Sequence, residues 1–467
     1  MVSAAVAAGS ADPHPSSRPP FPGGDVVRHT VRAIAVPMFT DAPPMPTPPL
    51  SPTPAPIRTA ADTSLTAAAG PAPETAPPRA TRIWELPTSL APGQYDGLPA
   101  EDRGAFDAVT FVDLPAGAAF APMHKVGWQL RQWRRGQGSL AAVVRGFLHE
   151  SFASWGRLLG ERQLRNNLAK LASVPDDRPK VLHLGAQMRS RAEIRRRVAV
   201  ALERGVNEFM VLSGGGLWQQ FTKAWRTKPI VRWTWRPLGR PLTRLAGRLD
   251  AVGVLEELGR MRAVGKLPEH IGISIVCNPN RRDNAGELAS LRRKADAIRA
   301  FNPDFANVRL YAQPTMYVLR PAVDADTGTP VWEVDPGEAA ACHAFYETAY
   351  RELLPANAEL IIGLPSFASP YQVDFWSFLV GRDDATTRNF YDVFAAAHDP
   401  KDKSAFLALR KAWNDAAVTF GLDLAIGLGL PKYGFIFQPA TRSLTTKTMR
   451  SALDRLDVLE NAQSDNL

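Results

Sequence analysis

The segment 180–216 constrains the fold more than any other part of the chain, because it holds a complete strand–helix–strand pattern. Short apolar runs at its two ends predict strands, and apolar residues at helical spacing fill the middle. Ser190 and Glu193 form a capping box that predicts the start of the helix, and Gly205 predicts its end. Such a unit pairs its strands in parallel through a right-handed crossover. We therefore expect an α/β protein whose ligands lie beyond the carboxyl ends of its strands.

Apolar runs of strand length recur along the chain from residue 83 onwards. Eight of them predict strands: Ile83–Leu86, Ala108–Leu114, Val181–Leu184, Phe209–Leu212, His270–Val276, Asn307–Ala312, Glu359–Leu364 and Tyr433–Phe437. Helical patterns separate most of these runs, including Glu287–Phe301, 337–354 and the helix-rich segment 388–429. The number of strands and the lack of a Gly-x-Gly-x-x-Gly turn favour a (β/α)8 TIM barrel over the alternative, a doubly wound open sheet.

Composition limits the classes of protein that remain. The 467 residues are enough for one large barrel with appendages, and no apolar run approaches the roughly 18 residues that cross a bilayer. Two cysteines, Cys277 and Cys342, cannot form a disulfide framework or a four-cysteine zinc site, and we expect no metal. The net charge of +9 and the pI near 9.7 favour acidic partners, such as phosphorylated ligands, nucleic acid or anionic lipid.

Residues 1–80 differ in composition from the rest, being rich in Pro, Ala, Ser and Thr. Such a segment cannot bury enough apolar surface to fold, which predicts a disordered tail. Because it is poor in acids and carries scattered arginines, it also resembles an organellar transit segment. No secretory hydrophobic region is visible, so we expect a mitochondrial or cytoplasmic protein whose folded domain covers 81–467.

Two connections of the predicted barrel are long, basic and rich in tryptophan. One covers 115–178 and is expected to add two helices, and the other covers 217–265. Within the second, the segment 217–248 holds four tryptophans, eight Lys or Arg and no acidic residue. Its tryptophans either cover the barrel mouth or contact a partner. The mixture of arginine and aromatic residues also occurs at single-stranded nucleic acid and anionic lipid, but prolines interrupt any continuous amphipathic helix, so we expect a protein partner and not nucleic acid.

Short motifs at the strand ends resemble those of a known barrel family. They are Trp84-Glu85-Leu86-Pro87, Val112-Asp113-Leu114, His183-Leu184-Gly185-Ala186, Lys294-Ala295-Asp296, Ala312-Gln313, Ile361–Pro365 and Ile436–Arg442. In this order they are similar to motifs of the methylenetetrahydrofolate reductases, which are flavin-dependent (β/α)8 barrels. Each motif is short, and the resemblance rests on their order from Ile83 to about Leu456.

The resemblance implies one catalytic residue and two groups of binding residues. Glu85 matches the glutamate that protonates the folate, and burial at a strand end raises the pKa of such a carboxyl. The alternative is a glutamate paired with an arginine. A folate-like ligand would contact Gln313, Asp113 and Arg442. FAD, reduced by NAD(P)H, would contact His183, Ser213, Gly214, Gly215, Asn278 and Lys294.

The chain departs from the family at two cofactor positions. The fourth strand ends in Leu212-Ser213-Gly214-Gly215, where the family has Leu-Arg-Gly-Asp, and Asn278-Pro279 replaces a tyrosine-proline pair. The first hypothesis is a flavin-dependent reductase of a folate one-carbon unit. The second is a barrel that has lost catalysis and serves as a binding or scaffold subunit of a larger complex.

Overall fold

A computed structural model describes most of the chain after the Pro-rich segment. The described residues are 79–86, 100–112, 126–136, 138–146, 161–174, 177–186, 189–212, 249–280, 284–323, 330–367, 369–380, 385–399, 401–439 and 447–464. The predicted tail 1–80 therefore lies almost entirely outside the described residues, as does the basic segment 217–248.

Eight parallel strands form a closed barrel. They are β1 (Thr81–Leu86), β2 (Ala108–Phe111), β3 (Lys180–Gly185), β4 (Glu208–Leu212), β5 (Gly272–Cys277), β6 (Arg309–Ala312), β9 (Glu359–Ser366) and β10 (Tyr433–Pro439). They follow one another around the barrel in the order β1-β10-β9-β6-β5-β4-β3-β2. All eight coincide with predicted strands, and the (β/α)8 TIM barrel is confirmed.

Helices connect the strands and surround the barrel. They are α1 (Ala100–Gly104), α2 (126–134), α3 (140–146), α4 (Glu161–Ser173), α5 (Arg191–Leu202), α6 (Ala251–Ala263), α7 (Asn284–Arg299), α8 (Pro336–Glu352), α9 (Pro370–Val380), α10 (Ala385–Ala396), α11 (Ser404–Gly427) and α12 (Lys447–Ser464). In the described part of 115–178, where two extra helices were expected, α2 and α3 precede α4, and α4 leads into β3. Helix α6 leads into β5 and occupies the last part of 217–265. None of the described helices combines the length and hydropathy of a membrane crossing.

Helix α5 begins and ends as its sequence predicts. The Ser190 hydroxyl accepts a hydrogen bond from the backbone N–H of Glu193, with 3.2 Å between the two atoms. Gly205 has a φ of 75°, a left-handed conformation that glycine adopts without strain. Ser190 and Gly205 therefore set where α5 begins and where the chain turns into β4.

An antiparallel hairpin, β7 (Leu319–Val323) and β8 (Pro330–Val334), interrupts the connection between β6 and α8. The sequence did not predict it. Trp332 stacks on Phe394 of α10 with 5.6 Å between ring centroids, and its indole N–H donates to the backbone oxygen of Leu409 in α11. The hairpin thereby joins the β6 side of the barrel to the helices that follow β9.

Charged residues close the amino-terminal end of the barrel. Arg309 of β6 forms ion pairs with Glu208 of β4 and Glu359 of β9, and the Ser274 hydroxyl also bonds to Glu208. Because these opposite charges pair with one another, they hold β4, β6 and β9 together at this end of the barrel. The opposite end, where the strands terminate, carries several polar side chains that face the interior.

Candidate functional site

Polar side chains converge on the carboxyl end of the barrel interior. A ring of interior side chains forms a separate apolar cluster: Ile83, Ala108, Val181, Met210, Tyr311, Ile361 and Ile436. Because side chains alternate along a strand, the residue two positions later faces the same interior. In five cases that position is polar, and we call these residues the polar ring: Glu85, Thr110, His183, Gln313 and Gln438.

Glu85 is the acidic member of the polar ring. Its side chain is 14% exposed, and its Oε2 accepts a hydrogen bond of 2.8 Å from Nε2 of Gln438 on the neighbouring strand. Removal from water raises the pKa of Glu85 to about 7, and the hydrogen bond from Gln438 opposes that rise. A carboxyl with this pKa holds a proton near neutral pH and can give it to a ligand. The arginine pairing considered for Glu85 is not observed among the described residues.

His183 lies close to Glu85 across the interior. Its Nε2 is 4.0 Å from Oε2 of Glu85, and its side chain is 5% exposed. Burial lowers the pKa of His183 to about 3, so the imidazole is neutral at physiological pH and the contact is not an ion pair. A neutral imidazole offers one N–H donor and one nitrogen acceptor.

Several polar atoms of the ring have no partner among the described residues. They are both ring nitrogens of His183, Oγ1 of Thr110, Oε1 of Gln313 and Oε1 of Gln438. A buried polar atom that makes no hydrogen bond costs about 1–3 kcal/mol. Several buried donors and acceptors are therefore unpaired at this end of the described barrel interior.

Asn278, predicted to pack on a flavin, takes part in a hydrogen-bonded turn beyond β5. Its backbone N–H donates to Oε1 of Glu287, and its Oδ1 accepts from Nδ2 of Asn280. Asn280 also donates to the backbone oxygen of Pro314 and accepts from the N–H of Met316. This network holds the chain after β5 against the chain after β6, next to Gln313.

Lys294, predicted at a cofactor phosphate, is buried on α7. Its Nζ donates a hydrogen bond of 2.7 Å to the backbone oxygen of Val276 in β5. The Lys294 ammonium thus joins the helix to the strand. Of the described residues predicted to hold FAD, His183 alone shows unpaired polar atoms, so they offer one contact for the flavin and no phosphate cradle. We therefore derive no chemical step through a flavin.

The remaining predicted site residues lie outside the described residues. They are the substrate-binding Asp113 and Arg442 and the glycine-rich turn of Ser213, Gly214 and Gly215. Their proposed contacts stay predictions. Within the described ranges, no cluster of three or more His, Cys, Asp or Glu side chains is arranged to hold a metal ion.

Sequence reasoning assigned no role to two members of the polar ring, Thr110 and Gln438. The alternation of side chains along a strand could have indicated both. Thr110 stands two positions after Ala108, and Gln438 two positions after Ile436, and both of these earlier residues face the barrel interior. Gln438 also occupies the last but one position of β10, directly across from the end of β9. Strand pairing with β1 was needed to show that it bonds to Glu85.

Comparisons with known proteins add distant likenesses only. No family model and no curated protein matches the chain. One similar solved structure is an uncharacterized protein from Clostridium thermocellum that binds two copies of 5-methyl-5,6,7,8-tetrahydrofolic acid, with 10% identity, a TM-score of 0.38, and coverage of 82% of this chain and 96% of that one. Another is a protein from Coccidioides immitis that is described as a member of the dihydrodipicolinate synthase family. It has 14% identity and a TM-score of 0.25, and the match covers 83% of this chain and 98% of that one. At these scores neither likeness says what this chain binds.

Proposed function

We propose that the carboxyl end of the barrel binds a folate-like ligand and that Glu85 supplies it with a proton. The observation that carries the proposal is the position of Glu85, a carboxyl with a pKa near 7 among unpaired polar atoms of the barrel interior. The resemblance of the strand-end motifs to the methylenetetrahydrofolate reductases supplies the class of ligand.

The polar ring suits a planar ligand that carries both donors and acceptors. The Oε1 atoms of Gln313 and Gln438 accept from ligand N–H groups, and a neutral His183 both donates and accepts. Glu85 stands 4.0 Å from His183, so a ligand atom that reaches one of them is close to the other. Gln438 holds the Glu85 carboxyl in place through Oε2, which leaves Oε1 as the oxygen that carries the proton.

The finer proposal is that the reaction is a reduction of a folate one-carbon unit. A flavin, if bound, would supply the hydride from NAD(P)H, and His183 is the described residue that would contact it. An absorption spectrum of the purified full-length protein tests this part directly, since bound flavin absorbs at about 450 nm. Protein that neither carries flavin nor takes it up would refute the reduction and leave the folate site to be tested by itself.

A second candidate function is a binding or scaffold subunit without catalysis. Two observations favour it: the Lys294 ammonium is used to join α7 to β5, and Asn278 is used in the turn beyond β5. Both were expected to serve the cofactor. In this case the barrel would bind a ligand or a partner protein without catalysing a reaction. The basic segment 217–248 would remain the predicted contact with that protein.

Glu85→Gln tests the proposed proton donor. The amide keeps the shape of the carboxyl but carries no acidic proton, so the reaction of the folate at this site is expected to slow by about 10²–10⁴-fold. Formation of methyltetrahydrofolate from methylenetetrahydrofolate by the purified full-length protein measures the loss.

Calorimetric titration of a folate into the same proteins supplies the control. Glu85→Gln should still bind the folate, whereas Gln313→Leu should weaken binding because it removes the unpaired acceptor. Glu101→Gln, an exposed residue on α1, is the matched control and should change neither property. If wild-type protein binds no folate, or if Glu85→Gln reacts at the wild-type rate, the proposal is wrong.

A further inference from the structure

The two extra helices, α2 and α3, form a unit with an anchored side and an exposed side. They pack against each other closely at Gly146, where an added Cβ atom would lie 2.2 Å from Oε1 of Gln129. The Gln129 side chain thus lies directly against the backbone of α3 at Gly146. The pair is therefore a defined helical hairpin in the connection between β2 and β3.

The anchored side contacts the helices that follow β9. The Trp128 ring lies 5.7 Å from His398 and 6.5 Å from Tyr391, measured between ring centroids. Arg131 donates to Asp374 of α9 with 3.3 Å between the atoms, and its guanidinium lies 5.0 Å from the centre of the Tyr391 ring. These contacts fix the hairpin to the barrel and leave its other side outward.

The exposed side combines large apolar residues with arginines. Trp133 is 40% exposed, and Leu140 and Val144 are each 50% exposed. These are three of the nine large apolar side chains exposed in the described part of the chain. Three exposed arginines occur in the same hairpin. Arg134 and Arg135 follow Arg131 by three and four positions and so border the anchored side, whereas Arg145 is next to Val144. We call the six exposed residues the basic-apolar face: Trp133, Arg134, Arg135, Leu140, Val144 and Arg145.

The charge of this region has one sign. Residues 114–149 contain no Asp or Glu, and their cations are Lys125, Arg131, Arg134, Arg135 and Arg145. Of these, Arg131 is paired with Asp374. A cluster of like charges beside exposed apolar groups repels itself, and an anionic surface relieves that repulsion while it covers the apolar groups.

We propose that the basic-apolar face docks the protein on an anionic phospholipid surface. Tryptophan and arginine side chains both place an apolar body and a polar tip at such an interface. In protein–protein interfaces the apolar core is separated from a polar rim, whereas here the two kinds of residue are interleaved. The helices α2 and α3 are also free of proline, unlike 217–248, so no proline breaks either of them.

Co-sedimentation of the full-length protein with vesicles tests this docking. Vesicles of phosphatidylcholine mixed with phosphatidylglycerol should bind it, and vesicles of phosphatidylcholine alone should not. Each arginine at an anionic surface contributes roughly a factor of five, so Arg134→Gln, Arg135→Gln and Arg145→Gln together should weaken binding on the order of 100-fold. Added salt should weaken the wild type as well, because it screens the same charges.

A charge-matched variant separates this face from the overall charge of the protein. Arg292→Gln, Arg320→Gln and Arg351→Gln remove the same number of exposed charges elsewhere and should leave vesicle binding nearly unchanged. Trp133→Ala should weaken binding several-fold, whereas Val458→Ala on α12 should not. If the triple variant of the face fails to fold, its three single variants are compared, each expected to weaken binding about fivefold.

Three results would overturn the proposal. The first is no binding to the anionic vesicles, and the second is an equal loss of binding in the charge-matched variant. The third is binding of soluble polyglutamate at this face without binding of either vesicle, which would assign an acidic protein partner instead.

Discussion

Nε2 of Gln438 donates a hydrogen bond of 2.8 Å to Oε2 of Glu85, and this bond joins β10 to β1 at the carboxyl end of the barrel. It acts against burial in setting the pKa of Glu85, since a donor favours the carboxylate and burial favours the neutral acid. Burial has the larger effect. Glu85 therefore holds its proton at a pH where an exposed glutamate is ionised.

Gln438→Leu is expected to raise the pKa of Glu85 above about 7, because the variant removes the donor and leaves the burial unchanged. A hydrogen bond to a charged group is worth about 1.5–3 kcal/mol, so the rise should be roughly one to two units. The pH dependence of the carboxyl infrared band measures it. A pKa that stays the same or falls would show that the bond does not act on the carboxylate.

The stability of the wild type should fall as pH rises from about 4.5 to about 7, relative to Glu85→Gln. In that range the folded protein holds a proton on Glu85 that the unfolded chain has lost, so rising pH favours unfolding. The difference in the free energy of unfolding should reach ~3 kcal/mol at pH 7 and stay constant above it. Urea denaturation of the two proteins across this range checks the sign, and a flat difference would contradict it.

His183→Asn should change stability with the opposite dependence on pH. The folded imidazole stays neutral down to a pKa of about 3, whereas the unfolded one gains a proton below about 6.5, so acid favours unfolding of the wild type. Measured in the Glu85→Gln background, the variant should remove a loss of ~5 kcal/mol between pH 6.5 and 3. Equal acid sensitivity of the two proteins would mean that His183 is not buried in the neutral form.

Gly434→Ala should destabilise the barrel where it closes. A Cβ atom at this position would lie 2.3 Å from the backbone oxygen of Thr81, so β10 and β1 would have to separate. The expected loss is about 3 kcal/mol or more in the free energy of unfolding. Gly104→Ala at the end of α1 is the control, because an added Cβ meets nothing within 4 Å there. Equal stability of the two variants would contradict the register between β1 and β10.

The strands could be predicted because each is a short buried run bounded by turn residues. The run His270–Val276, for example, contains the interior and exterior faces of β5 in one apolar segment. The hairpin of β7 and β8 was missed because Pro321 and Pro330 stand within its strands, and proline argues against a strand except at an edge. Its stability comes from Trp332 packing on α10, which local sequence does not show.

The carboxyl ends of the strands could be expected to hold the site, because strand ends meet in a parallel barrel. Glu85, His183 and Gln313 were singled out because their motifs resemble those of the reductases, and their roles stay predictions. The contact of Lys294 could not be predicted, because its partner is the backbone oxygen of a residue 18 positions earlier. Every residue has a backbone oxygen, so the sequence does not mark this one as the partner. The Gln438 bond to Glu85 joins residues 353 apart and needed the closure of the barrel to be seen.

The most direct test of the account is a titration of Glu85 itself in the folded protein. The infrared difference between wild type and Glu85→Gln isolates the carboxyl band of this one residue across the pH range. We predict a protonated carboxyl that ionises with a pKa of about 7 and that responds to Gln438→Leu. A Glu85 that ionises near 4.5, as an exposed glutamate does, would contradict the buried proton donor on which the proposed function rests.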